Sequence, residues 1–236
     1  MKKTIISGAM LLATTLPTLA WQGDVTVETP GMKMLLHAVE GQDLRMAYFG
    51  AKTATMQELL DAGNDLNFPA LTAFGTVDVI HLPAIQVEHA NGDQNLELQV
   101  TDYSTADDGS AVIHVFTMTD KLLPVTVKLY YKAYNKVDVI ETWTSIEHQE
   151  KRPITLKRYD SGHLALRQGD VWLTHLHGDW AAETGLTQEP LTRGMKTIRN
   201  SDGALLVPST GKMFLLPREC ICCYIDTTHL RFVLRY

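Results

Sequence analysis

Cysteine is scarce in this chain and badly placed for cross-linking. The three cysteines, Cys220, Cys222 and Cys223, crowd together near the C-terminus. A disulfide framework needs partners elsewhere in the chain, and there are none. One C-x-C-C cluster also lacks the second pair that a structural zinc site requires. In an oxidising compartment such a cluster invites mispairing. Tryptophan is sparse as well. Trp21, Trp143, Trp172 and Trp180 are scattered rather than set at i, i+2, which weighs against the row of exposed aromatics that a carbohydrate-binding module presents on one sheet face. The net charge is −6 and the basic residues form no stripe, so the electrostatic footprint of a nucleic-acid binder is missing. After residue 20 no apolar run approaches the roughly 20 residues of a membrane-spanning helix. Neither G-x-S-x-G nor H-E-x-x-H occurs.

What is present begins with a targeting pattern. Lys2 and Lys3 form a basic start, residues 5–16 are mostly apolar, and Thr18-Leu19-Ala20 has the small-x-small form of a cleavage site. Residues 1–20 are therefore expected to be a signal peptide, with the mature chain beginning near Trp21 and exported to the periplasm or the medium. No membrane attachment is expected after cleavage. The remainder is long enough for one large domain.

Strand signals then recur. Residues 24–28 and 95–100 alternate polar and apolar side chains, with Leu96, Leu98 and Val100 on one face. Residues 111–116, 125–130, 137–146 and 154–159 continue the theme. Period-two alternation puts one face of each strand on a core and the other in water. Turn clusters separate them at residues 90–93, 105–110 and 168–170; the Asn91-Gly92 pair reads as a hairpin turn. Helical periodicity is nearly absent, and the exception is residues 55–62, a short helix stopped by Gly63. The fold class is all-β: a large antiparallel β-sandwich with one short helix.

Chemistry is harder to find. His175 and His177 share a strand face, but no third metal ligand is fixed nearby, so no metal is assigned. Asp107-Asp108 is an adjacent pair in a turn, and Glu88, Glu97 and Glu141 are expected on outer strand faces. A glycosidase needs two carboxylates flanking a sugar, and nothing assembles such a pair. No cofactor is implied.

One stretch carries a resemblance. Trp172-Leu-Thr-His-Leu-His-Gly-Asp-Trp-Ala-Ala-Glu183, followed by Leu191, Gly194 and Ser201-Asp-Gly203, resembles the end of the N-terminal domain of glycoside hydrolase family 36 α-galactosidases. Upstream, Leu44-Arg-Met-Ala-Tyr-Phe-Gly50, Phe68-Pro-Ala70 with Phe74-Gly75, residues 129–140 and Leu156-Lys-Arg-Tyr-Asp-Ser-Gly162 are similar to further elements of that family in the same order. The resemblance implies a twisted supersandwich standing before a (β/α)8 barrel. It implies retaining hydrolysis of terminal α-galactosyl groups by two barrel aspartates that lie beyond residue 236. No residue here inherits a catalytic role, and this chain alone is expected to be inactive. Its partners would be the barrel in cis, α-galactoside sugars and other copies in a homo-oligomer. The family's domain lends the sugar pocket a loop, here residues 51–67, in which Asp61 or Asp65 would hydrogen-bond a galactose hydroxyl. Trp180 matches the motif and is a further substrate-side candidate, though packing against the barrel fits it better.

The domain is bounded at residues 21–203. From Ala204 the resemblance stops abruptly and all three cysteines follow, so residues 204–236 are expected to be an atypical tail, frameshifted or unordered. The alternative reading is a free-standing carbohydrate-binding or accessory module.

Overall fold

The computed structural model describes residues 20–52, 55, 57–58, 68–75, 83–160, 163–164, 172–179, 182–190, 212–216, 221–226 and 231–235. Among these, three sheets account for the fold. The first is four-stranded, in the order β1 (Gly23–Glu28), β2 (Met32–Ala38), β3 (Leu44–Ala51) and β4 (Phe68–Pro69). The second pairs β5 (Ile85–Glu88) with β10 (Thr155–Tyr159). The third is built on the antiparallel meander of β6 (Leu98–Asp107), β7 (Ala111–Asp120), β8 (Val125–Tyr134) and β9 (Val139–His148). It continues from β9 through β15 (Arg231–Arg235), β14 (Ile221–Asp226) and β13 (Lys212–Leu216) to β11 (Trp172–Asp179) and β12 (Ala182–Pro190).

The meander follows the alternation in the sequence. β8 reads buried, half-buried, buried along its whole length, with Val125, Val127, Leu129, Tyr131 and Ala133 inward. β2 is buried on both faces: Met32, Met34, Leu36 and Ala38 join the core cluster on one, and Lys33 and Leu35 are buried on the other. The main core lies between these sheets. Val25, Val27, Met34, Leu36 and Leu44 meet Val87, Leu96, Val100, Phe116, Met118, Leu129 and Ile140 in one cluster. Each large side chain buried there contributes about 1.5–3 kcal/mol.

Two turns lock the sheets to one another. Asp138, between β8 and β9, accepts from the Gly31 N–H at 2.6 Å and from the Thr29 hydroxyl at 2.9 Å, both in the β1–β2 turn. A methyl group on Gly31 would stand 2.7 Å from Asp138 Oδ2, so the close approach requires glycine. On the far side, buried His89 faces Glu150 through Nδ1 at 2.7 Å and the Asn95 carbonyl through Nε2 at 2.9 Å. Glu150 also accepts from the Ala90 N–H at 2.9 Å.

The structure corrects two expectations. Asn91-Gly92 does form a tight turn, with Gly92 at φ +89°, but it is not a hairpin. β5 pairs with β10 and β6 with β7, so the turn carries the chain from one sheet to another. Glu141 is buried rather than outward and solvated; the Tyr134 hydroxyl donates to it at 3.1 Å. Within the stretch expected to be an atypical tail, the described residues include β13, β14 and β15, paired strands bridging β11 to β9. Short apolar runs such as Met213-Phe-Leu-Leu216 have strand-forming composition, and two otherwise open edges stand ready to pair with them.

Candidate functional site

The loop expected to face a sugar leaves β3 at Ala51. Its first residues are firmly tied. Lys52 donates its backbone N–H to the Gly31 carbonyl at 3.0 Å and pairs with Glu28 at 2.6 Å. The Tyr48 hydroxyl donates to the Ala51 carbonyl at 2.8 Å. The predicted helix begins as a capping box. Thr55 accepts from the Glu58 N–H at 3.2 Å, and Glu58 accepts from the Thr55 N–H and hydroxyl at 2.7 and 2.8 Å. The Thr55 hydroxyl, then the Thr55 N–H, hold the Glu58 carboxyl below its ordinary range. Asp61 and Asp65 lie outside the described residues.

Sequence reasoning passed over Lys33, which lies on β2 opposite Gly50 and is buried although charged. Its positive charge helps to keep Glu58 ionised. The one available signal was a lysine interrupting the apolar run of residues 32–36.

The motif stretch folds as the β11–β12 hairpin. Asp179 is registered with Ala182, which leaves residues 180–181 as the connection. Trp180 itself lies outside the described residues. The register sets Thr187 and Met213 opposite His175, and Gly185 opposite His177. None of these supplies a metal ligand. Among the described residues no group of three His, Cys, Asp or Glu could hold a metal ion.

The acidic residues considered for catalysis are occupied structurally. Asp108 pairs with Lys132 at 2.8 Å and caps the β6–β7 turn by accepting from the Ser110 and Ala111 N–H groups at 2.9 and 2.8 Å. The Lys132 ammonium, with Ser110 next, holds its carboxyl far below the usual carboxylate range. Asp107 accepts from the Gly109 N–H at 2.7 Å. Glu88 pairs with Lys157 at 2.6 Å and Glu97 with Lys121 at 3.3 Å. The Tyr103 hydroxyl lies 2.8 Å from His114 Nδ1. Burial pushes the histidine down and the tyrosine up. A hydrogen-bonded, largely buried imidazole–phenol pair of this kind is a satisfied packing pair.

The molecule is thus an all-β antiparallel sandwich in which Asp107, Asp108, Glu88 and Glu97 serve turns and ion pairs. The comparisons with known proteins narrow this class. The sequence profile of the glycosyl hydrolase family 36 N-terminal domain matches residues 42–206. The chain belongs to that family. No curated protein matches the sequence. Among solved structures, the AgaA α-galactosidase of Geobacillus stearothermophilus, a variant in complex with raffinose, superposes with a TM-score of 0.69 at 16% identity, covering 90% of this chain and 37% of its own. An α-galactosidase from Lactobacillus brevis gives 0.65 at 20% identity, with coverages of 89% and 35%. The galactosidase domain of the α-galactosidase-sucrose kinase AgaSK gives 0.67 at 18%, with coverages of 89% and 36%. At these identities the likeness concerns the fold. The chain spans little more than a third of each of those chains. A likeness ending at residue 206 of 236 could cover about 87% of this chain, so the structural match, unlike the profile, takes in part of the tail.

Proposed function

We propose that this chain is the exported, non-catalytic N-terminal domain of an α-galactosidase. Its role is to support a catalytic domain that cleaves terminal α-galactosyl groups. The observation that carries this reading is the family match over residues 42–206. Glycoside hydrolysis needs an acid and a second carboxylate set on either side of one bond. Asp107, Asp108, Glu88 and Glu97 are instead held in turns and ion pairs. Within this reading Asp61, Asp65 and Trp180 stand on the sugar side, the barrel is the partner in cis, and other copies assemble with it as a homo-oligomer. Export rests on the basic start, apolar stretch and Thr18-Leu19-Ala20.

The test is direct. The purified chain, incubated with an aryl α-galactoside, should release no phenol above a protein-free blank. Turnover that co-purifies with the chain, and that disappears when the chain is removed by affinity depletion, would overturn the non-catalytic reading.

A further inference from the structure

We propose that the fold itself sets the mature N-terminus at Trp21 and protects it there. The inference rests on the export reading above and adds where processing stops and why. Trp21 is the first described residue that ties into the core. Its backbone nitrogen donates to the Val100 carbonyl at 3.0 Å. Its indole packs on Tyr103, with centroids 5.2 Å apart, and meets Phe116 edge-on at 6.2 Å.

The sites that receive Trp21 are specific. Among the described residues β6 ends its sheet, and its register with β7 slips between Val100 and Asp102. At that irregularity the Val100 carbonyl bonds Trp21, while the Val100 N–H donates to the Gln42 carbonyl at 3.1 Å. Two residues on, Gly23 lies at φ +155°, and a Cβ there would come within 3.1 Å of the indole atoms Cη2 and Cζ2. The indole therefore folds back closely over Gly23, whose positive φ and tight space favour glycine. Trp21, Gln22 and Gly23 form a hook over the β6 edge.

Cleavage adds water across the Ala20–Trp21 peptide bond. The carboxylate stays on Ala20 with the leader, and the Trp21 nitrogen becomes an ammonium group. Small residues at Thr18 and Ala20 suit the pocket of a leader peptidase. The new ammonium keeps a proton directed at the Val100 carbonyl, so a neutral hydrogen bond becomes a charge-assisted one. An exopeptidase must lift the terminal residue free before cutting, and a hooked residue resists that.

The experiment expresses the full chain in a bacterium, recovers the exported fraction and reads the intact mass, then repeats the reading after digestion with a broad aminopeptidase. One species beginning at Trp21, unchanged by the digestion, is expected. A variant with Gly-Ser inserted between Ala20 and Trp21 should be trimmed back to Trp21 and no further. Trp21→Ala should lose several residues under the same digestion. Retention of residues 1–20 in a cytoplasmic product would sink the export reading, and this inference with it. An exported product that begins elsewhere, or a wild type trimmed as readily as Trp21→Ala, would overturn this inference and leave export standing.

Discussion

Replacing His89 should destabilise the domain more than any surface change. Its side chain is fully buried and Glu150 is 7% exposed. Removing the ring leaves a nearly dry carboxylate with only the Ala90 N–H, and strips the Asn95 carbonyl of its partner. Leaving a buried carboxylate and a buried carbonyl each short of a hydrogen bond costs about 1–3 kcal/mol apiece. For a domain of this size each kcal/mol lowers Tm by roughly 2–4 °C, so His89→Ala should fall by about 10 °C. Glu150→Gln is milder, about 1 kcal/mol, because the amide oxygen still accepts from Ala90 and the shape is kept. Urea unfolding of both single variants and the double variant gives the coupling, which should reach about 2 kcal/mol for groups in direct contact. A loss below about 1 kcal/mol for His89→Ala, with an unchanged m-value, would refute the reasoning. The pair also has a pH signature. Burial pushes the Glu150 carboxyl up, but the His89 ring and the Ala90 N–H outweigh it and hold the carboxyl below its ordinary 4.5. A depressed carboxyl lends stability that is complete above 4.5 and is lost as pH falls through the folded value. Wild type should therefore lose stability more steeply than Glu150→Gln in the acid range, and parallel curves would count against the assignment.

Further outcomes follow from other parts of the fold. Gly31→Ala should cost about 1–3 kcal/mol in urea unfolding, since the methyl displaces the Asp138 carboxylate from the turn; a neutral result would mean that the two turns do not depend on each other. Trp172 and Leu186 are 42% and 67% exposed, and the register puts both on the outer face of the β11–β12 hairpin. The isolated chain should self-associate in light scattering, and Trp172→Ser with Leu186→Ser should reduce it; a monodisperse monomer at high concentration would refute this.

The all-β class and the inward residues Leu96, Leu98 and Val100 follow from local alternation, which any strand with one buried face must show. The Thr55–Glu58 capping box was equally local. Tertiary structure decided the rest. β2 is apolar on successive residues, and it is the folded molecule that buries both of its faces. The Asn91-Gly92 turn looks like a hairpin because turn chemistry records a reversal of the chain, not which strand it then pairs with. Nothing in the sequence around His89 marks Glu150, 61 positions away, as its partner. The Trp21 hook likewise exists only because the irregular edge of β6 leaves the Val100 carbonyl open to it. Alternation is a property of neighbours along the chain, whereas pairing, burial of charge and closure of edges depend on which distant segments the folded sheets bring together.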